Sequence, residues 1–153
     1  MRRLFTCLLM LISISVLPLI NHATAAAKMR VETVVVITSS GHHSFAAEIA
    51  DTAQLRRRGL MQRTQMPPDT GMLFDNGVDR EMHMWMRNTL IPLDMIFITR
   101  NGIIVKIAKN TRPHSEEIIS SGVPVRGVFE VIAGTADRIK LKPGDRIEHA
   151  LFR

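Results

Sequence analysis

Three features of the sequence predict an α+β fold with a mostly antiparallel, curled or barrel-like sheet and one or two short helices. Residues 31–37 form a β-branched run, followed by turn chemistry at Ser39-Ser40-Gly41 and a period-two alternation of Phe45, Ala47 and Ile49 with Ser44, Ala46 and Glu48. Residues 81–87, 93–99 and 103–108 read as three further strands, the last two joined by the tight-hairpin dipeptide Asn101-Gly102. Helical signals are confined to short stretches, which places the chain among sheet-dominated α+β folds.

The first helix is expected directly after the opening strand pair. Asp51 or Thr52 can cap its free amides, Gln54 stands where a capping-box partner of Asp51 would, and Gly59 offers a left-handed stop after Arg58. Met66-Pro67-Pro68-Asp69-Thr70-Gly71 reads as loop or turn, Met72-Leu73-Phe74 as a short apolar run and Asp75-Asn76-Gly77 as another turn. Residues 110–126 hold Pro113 and Pro124, lack a period, and are expected to form one long loop, mobile or covering a site. Strand character returns over 127–133, followed by a helical turn over 135–141, the turn Lys142-Pro143-Gly144-Asp145 and a last strand through Ile147.

The start of the chain reads as an address. Arg2 and Arg3 precede an uncharged apolar stretch over 4–20, and Ala23-Thr24-Ala25 supplies small residues for a signal peptidase. Residues 1–25 are therefore expected to be a cleavable signal peptide, with the cut at 25 to 27, and residues 28–153 a single periplasmic or secreted domain with no stable membrane span after cleavage. The sole cysteine, Cys7, falls inside the apolar stretch, so the exported part has no thiol for disulfides, zinc or nucleophilic chemistry. Cleavage removes two of 20 basic residues and none of 14 acidic ones, leaving a net charge of about +4. That small, scattered excess, with export, argues against nucleic acid and leaves a small-molecule or protein partner of unknown identity.

The stretch from Met82 to Asp94 carries most of the chemistry. On a strand, Met82, Met84 and Met86 share one face, with Glu81, His83, Trp85 and Arg87 on the other. Thioethers and an imidazole beside Trp85 are suitable for Cu(I), so Met82, His83, Met84 and Met86 are weak metal candidates. Flexible methionines filling a core is the commoner use of such a pattern. No cofactor is implied.

Asp94 shares a face with Ile96 and Ile98, and Glu130 with Val128 and Ile132, so both carboxylates point where their neighbours are apolar. A buried carboxylate shifts its pKa or finds a cation or amide. Arg63, Arg87, Asn88 and Thr89 are the natural partners, and with Asp94 and Glu130 they make a candidate polar pocket. The same residues equally suit a structural brace, with Asp94 accepting amides of the 88–92 turn and Glu130 pairing with Arg63 or Arg87. Arg56-Arg57-Arg58 suits an anionic partner or, more ordinarily, a solvated helix face. No His-Glu-X-X-His, Gly-X-Ser-X-Gly or phosphate-cradling glycine loop occurs, which excludes the commonest metalloprotease, serine hydrolase and nucleotide-binding classes.

Gly59-Leu60-Met61 with Arg63, Gly71-Met72-Leu73-Phe74, Trp85-Met86-Arg87-Asn88-Thr89, Pro92-Leu93-Asp94, Glu130-Val131 with Gly134, and Gly144-Asp145, in this order and spacing, resemble the domain of unknown function 192 family over residues 34–147. The resemblance implies a small α+β domain with a barrel-like sheet, often exported in bacteria, whose biochemical role is not established, and it supplies no catalytic residues. The family commonly has Lys at the position of Arg87 and an aromatic at that of Met84, while Met82 and His83 lie outside its pattern, which weakens a copper site. Three readings follow: a non-catalytic periplasmic binding or interaction module, an acid–base enzyme using Asp94 or Glu130 on an anionic substrate, and a Cu(I)-handling protein.

Overall fold

The computed structural model describes residues 29–152. The expected signal peptide and Cys7 lie outside them. Seven strands form one sheet in the order β5-β4-β6-β3-β2-β1-β7, with two short helices. β1 (Val31–Thr38) and β2 (Gly41–Ala50) make the expected antiparallel pair, turning at Gly41 with φ of 122°. β2 runs into α1 (Ala53–Arg58), whose Leu55 N–H donates to Thr52 Oγ1 at 3.2 Å, so Thr52 is the cap. Asp51, the other cap candidate, instead accepts from Arg30.

β3 (Thr70–Met84) departs from expectation, because the apolar run 72–74, the turn 75–77 and the strand over 81–87 form one long strand that ends at Met84. Its first part pairs parallel with β2, Ala46 opposite Thr70 through Ala50 opposite Phe74. This is a parallel pair in an otherwise antiparallel sheet. The turn residues are accommodated because the ladder with β6 (Ile119–Ile132) shifts register between Asp75 and Arg80. β6 corrects a second expectation, since 119–126 is strand and the loop shrinks to the residues before Ile119. Pro124 and Gly122 sit where the register shifts again, between Glu81 and His83, and Ser121 Oγ takes the Met82 N–H that the irregular stretch would orphan. The remaining loop is pinned: Thr111 N–H and Oγ1 both donate to Leu93 O, and Met86 N–H donates to Ser115 O.

β4 (Leu93–Ile98) and β5 (Ile104–Ala108) form the hairpin expected at Asn101-Gly102, and α2 (Thr135–Arg138) and β7 (Arg146–Glu148) close the chain. Ile103 bridges to Arg146, and Ile147 N–H donates to Gly102 O at 2.7 Å, so the two sheet edges meet at one end. The sheet is thus curled into a half-barrel, and its two faces serve two apolar clusters. One gathers Val34, Val36, Phe45, Leu73, Ile96 and Phe129 inside the curl. The other gathers Leu60, Met72, Phe74, Met82, Met95 and Phe97 on the opposite face.

Close backbone approach fixes the β3–β6 contact. A Cβ on Gly71 would stand 2.6 Å from both Glu130 O and the Phe129 ring. Neither neighbour can yield, as one is ladder backbone and the other a fully buried ring packed edge-on against Phe45 at 5.5 Å. Gly71→Ala is expected to cost about 3 kcal/mol by overpacking. Urea unfolding would show this as a lower midpoint at unchanged slope.

Candidate ligand-binding cleft

Strand register decides what the two buried acids can do. Asp94 stands opposite Val131, and Met95 opposite Glu130, so the carboxyls project from opposite faces of the sheet. The expected convergence of Asp94 and Glu130 does not occur, and an acid–base pair built from them is ruled out. Asp94 is 1% exposed and accepts from Asn110 N–H and Ala136 N–H, each at 2.8 Å. It braces the start of the 110s loop and α2 to the sheet, as a brace should, though with amides other than those of the 88–92 turn.

The expected cations also go elsewhere. Arg63 donates to both carboxylate oxygens of Glu48, at 2.7 and 2.6 Å, and leaves Glu130 alone. Glu48, Met72, Glu130 and Met95 form one row across the sheet, so Arg63 stops two strands short, about 10 Å in strand spacing. Arg87 donates to both oxygens of Glu116, at 3.1 and 3.2 Å, and its guanidinium lies 4.8 Å over the Trp85 ring. Asn88 has a left-handed backbone, φ 55°, and its carbonyl accepts from Gln62 N–H, a turn role. Thr89 is buried, and its hydroxyl donates to Arg87 O at 3.4 Å.

Glu130 is the exception. It is 4% exposed, and no cation or hydrogen-bond donor reaches its carboxyl among the described residues. Burial alone pushes its pKa up to about 8, so the group is uncharged at neutral pH. It lines a cleft of about 340 Å³ between α1 with the 59–61 turn and the far half of β3. Arg87 and Thr89 line it as well, whereas Arg63, Asn88 and Asp94 do not.

Of the remaining lining, sequence reasoning singled out Arg56, Arg57 and Arg58 for an anionic partner and Met82, His83 and Met84 for a metal, but not Leu60, Phe74 or Arg80. Leu60, Phe74 and Met82 form apolar walls, while Arg56, Arg57, Arg58 and Arg80 bring positive charge. Arg56 is tied to Asp51 O and Asp75 O, and Arg80 to Asn76 Oδ1. Arg57 and Arg58 are exposed and carry no ion pair among the described residues. The only signal for this wall was the arginine run, which here faces a cleft rather than open solvent alone.

The methionine strand alternates as expected, with Met82 and Met86 buried and His83 and Trp85 exposed. Met82 and Met86 pack in the outer cluster, where Met86 Sδ lies 3.2 Å from Thr111 Oγ1. Packing, rather than a ligand set, accounts for both. Among the described residues, no group of three or more His, Cys, Asp or Glu side chains is placed to hold a metal, and no helix is long and apolar enough to cross a membrane.

Two solved structures are similar to the chain. A suggested transcription regulator from Sinorhizobium meliloti 1021 is 48% identical, with a TM-score of 0.80 over 83% of this chain and 99% of that one. A protein of unknown function from Novosphingobium aromaticivorans DSM 12444 is 35% identical, with a TM-score of 0.78 over 81% of this chain and 89% of that one. No curated protein matches. The model of the DUF192 family, described as "Uncharacterized ACR, COG1430", matches residues 35–149, nearly all of the sheet and both helices. The chain therefore belongs to the DUF192 family.

Proposed function

We propose that the protein is a non-catalytic binding or interaction module acting outside the cytoplasm, and that its site is the cleft between α1 and β3, which holds an anionic, partly apolar ligand. The observation that carries this reading is Glu130, a buried carboxyl with no partner among the described residues, turned into a cleft whose wall bears Arg57 and Arg58, which have no ion pair among them either. An uncharged carboxyl can both donate and accept a hydrogen bond, so it suits the floor of a site rather than a fold brace. Apolar walls with a few convergent polar groups are the usual make-up of a ligand pocket, and about 340 Å³ lies at the small end of their range. Export supplies the setting through the sequence features of residues 1–25.

A fluorescent amphipathic anion, 1-anilinonaphthalene-8-sulfonate, is a direct probe of the cleft. The folded protein is expected to bind it with a stoichiometry of one. The double variant Arg57→Ala/Arg58→Ala, which alters only exposed side chains, is expected to bind about tenfold more weakly while unfolding at the same temperature. Equal affinity in both proteins, unaffected by salt, would remove the anionic character from the site.

A further inference from the structure

Successive side chains of a strand point to opposite faces, so a cleft above one face is lined by every second residue. Here Met82, His83, Met84 and Trp85 line it consecutively. The run takes in residues of both faces of β3, so the cleft reaches from the face that carries Glu130 to the edge of that strand. Pairing explains why that edge is open. β2 runs beside β3 only as far as Ala50 opposite Phe74, then leaves into α1, which occupies the place where β2 would have continued. Arg56 bridges Asp51 O and Asp75 O at the point of separation, and beyond it the edge faces α1 across the cleft.

The open edge also offers hydrogen bonds. Met82 N–H is directed to Ser121 on β6 at 3.0 Å. Main-chain groups of successive strand residues point to opposite sides, so with Met82 N–H turned to β6 those of Glu81 and His83 are expected on the open side. An edge of this kind is a template for another strand.

Resting on the cleft reading above, we infer that the ligand is an extended acidic peptide segment, which adds to the open edge of β3 as a further strand and sets its carboxylates against Arg57 and Arg58. Charge complementarity selects the acidic sequence, because Arg57 and Arg58 on the facing wall are cations with no ion pair among the described residues. Leu60, Phe74 and Met82 receive its alternate apolar side chains.

The test uses three probes on the folded domain: acetyl-Asp-Val-Asp-Val-Asp-amide, its lysine counterpart acetyl-Lys-Val-Lys-Val-Lys-amide, and 1-anilinonaphthalene-8-sulfonate. Trp85, the sole tryptophan, reports occupancy by fluorescence, and amide hydrogen exchange reports main-chain pairing. The acidic peptide is expected to change Trp85 emission and to slow exchange at Glu81 and His83 about tenfold or more, with Met82 little altered because it is already bonded. The lysine peptide is expected to do neither. If the sulfonate binds and the acidic peptide leaves exchange at Glu81 and His83 unchanged, the strand-addition inference fails while the anionic cleft stands. If neither anion binds, both fail. His83→Pro, which removes the N–H that alternation directs to the open side, is expected to abolish peptide binding and keep sulfonate binding; retention of both would also overturn the inference.

Discussion

Glu130→Gln is expected to stabilise the protein by about 2–3 kcal/mol at pH 7 and to remove a pH dependence that the native chain carries. In the unfolded chain the carboxyl ionises near 4.5, whereas in the fold burial holds it protonated up to about 8. Below 4.5 both states bind the proton and folding carries no penalty from it. Between these values the unfolded state holds fewer protons, so stability falls as pH rises, by about 1.4 kcal/mol per unit, and then levels off. Glutamine keeps the shape and a hydrogen-bonding head without a proton to lose. The readout is the difference in unfolding free energy between the two proteins from pH 5 to pH 9, which cancels the contributions of Arg57, Arg58, Arg80, the Glu48–Arg63 pair and Lys106 on the same face. Parallel curves would show that Glu130 ionises freely in the fold. A residue that lowers stability and braces nothing is characteristic of a site retained for binding.

Asp94→Ala is expected to act in the opposite direction, with a loss of about 3–4 kcal/mol. The carboxyl holds Asn110 N–H and Ala136 N–H, and its removal leaves two main-chain donors without partners beneath an apolar cluster. α2 has a left-handed Gly134 and no side-chain cap of its own, so Asp94 supplies the acceptor that the short helix lacks. Asp94→Asn keeps one acceptor and turns an NH₂ toward the other donor, so it should fall between wild type and alanine. Chemical denaturation gives the energies, and exchange at Ala136 shows whether α2 loosens first. A change below about 1 kcal/mol in the alanine variant would contradict the bracing role.

The contrast between these acids shows where sequence reasoning stopped. Alternation within a strand correctly put Asp94 among isoleucines and Glu130 among its own apolar neighbours. Whether two strands present their acids to one face depends on register, and the offset that sets Asp94 against Val131 sends the acids apart. The same limit applies to Arg63, whose choice of Glu48 over Glu130 follows from which strand stands between. Pro124 and Gly122 masked the first half of β6, because breaker residues read as loop unless a register shift is there to absorb them. By contrast, the Asn101-Gly102 hairpin, the helix ended by Gly59 and the alternation of Met82 and Met84 with His83 followed from local chemistry and hold, while the strand stops at Met84, short of Met86. The cleft itself was invisible for a topological reason: it exists because β2 stops pairing at Ala50, which no pattern around Arg56-Arg57-Arg58 encodes.

Those three arginines have a second effect. An open strand edge invites the same edge of another copy. Two such edges approaching each other would bring Arg57 and Arg58 of one copy against Arg57 and Arg58 of the next. Like charges at that distance repel, and cationic gatekeepers beside an unpaired strand are a recurrent protection against edge-to-edge growth. The feature that welcomes an acidic strand therefore also keeps the molecule from polymerising with itself, and neutralising the run would open the way to fibres as well as weaken binding.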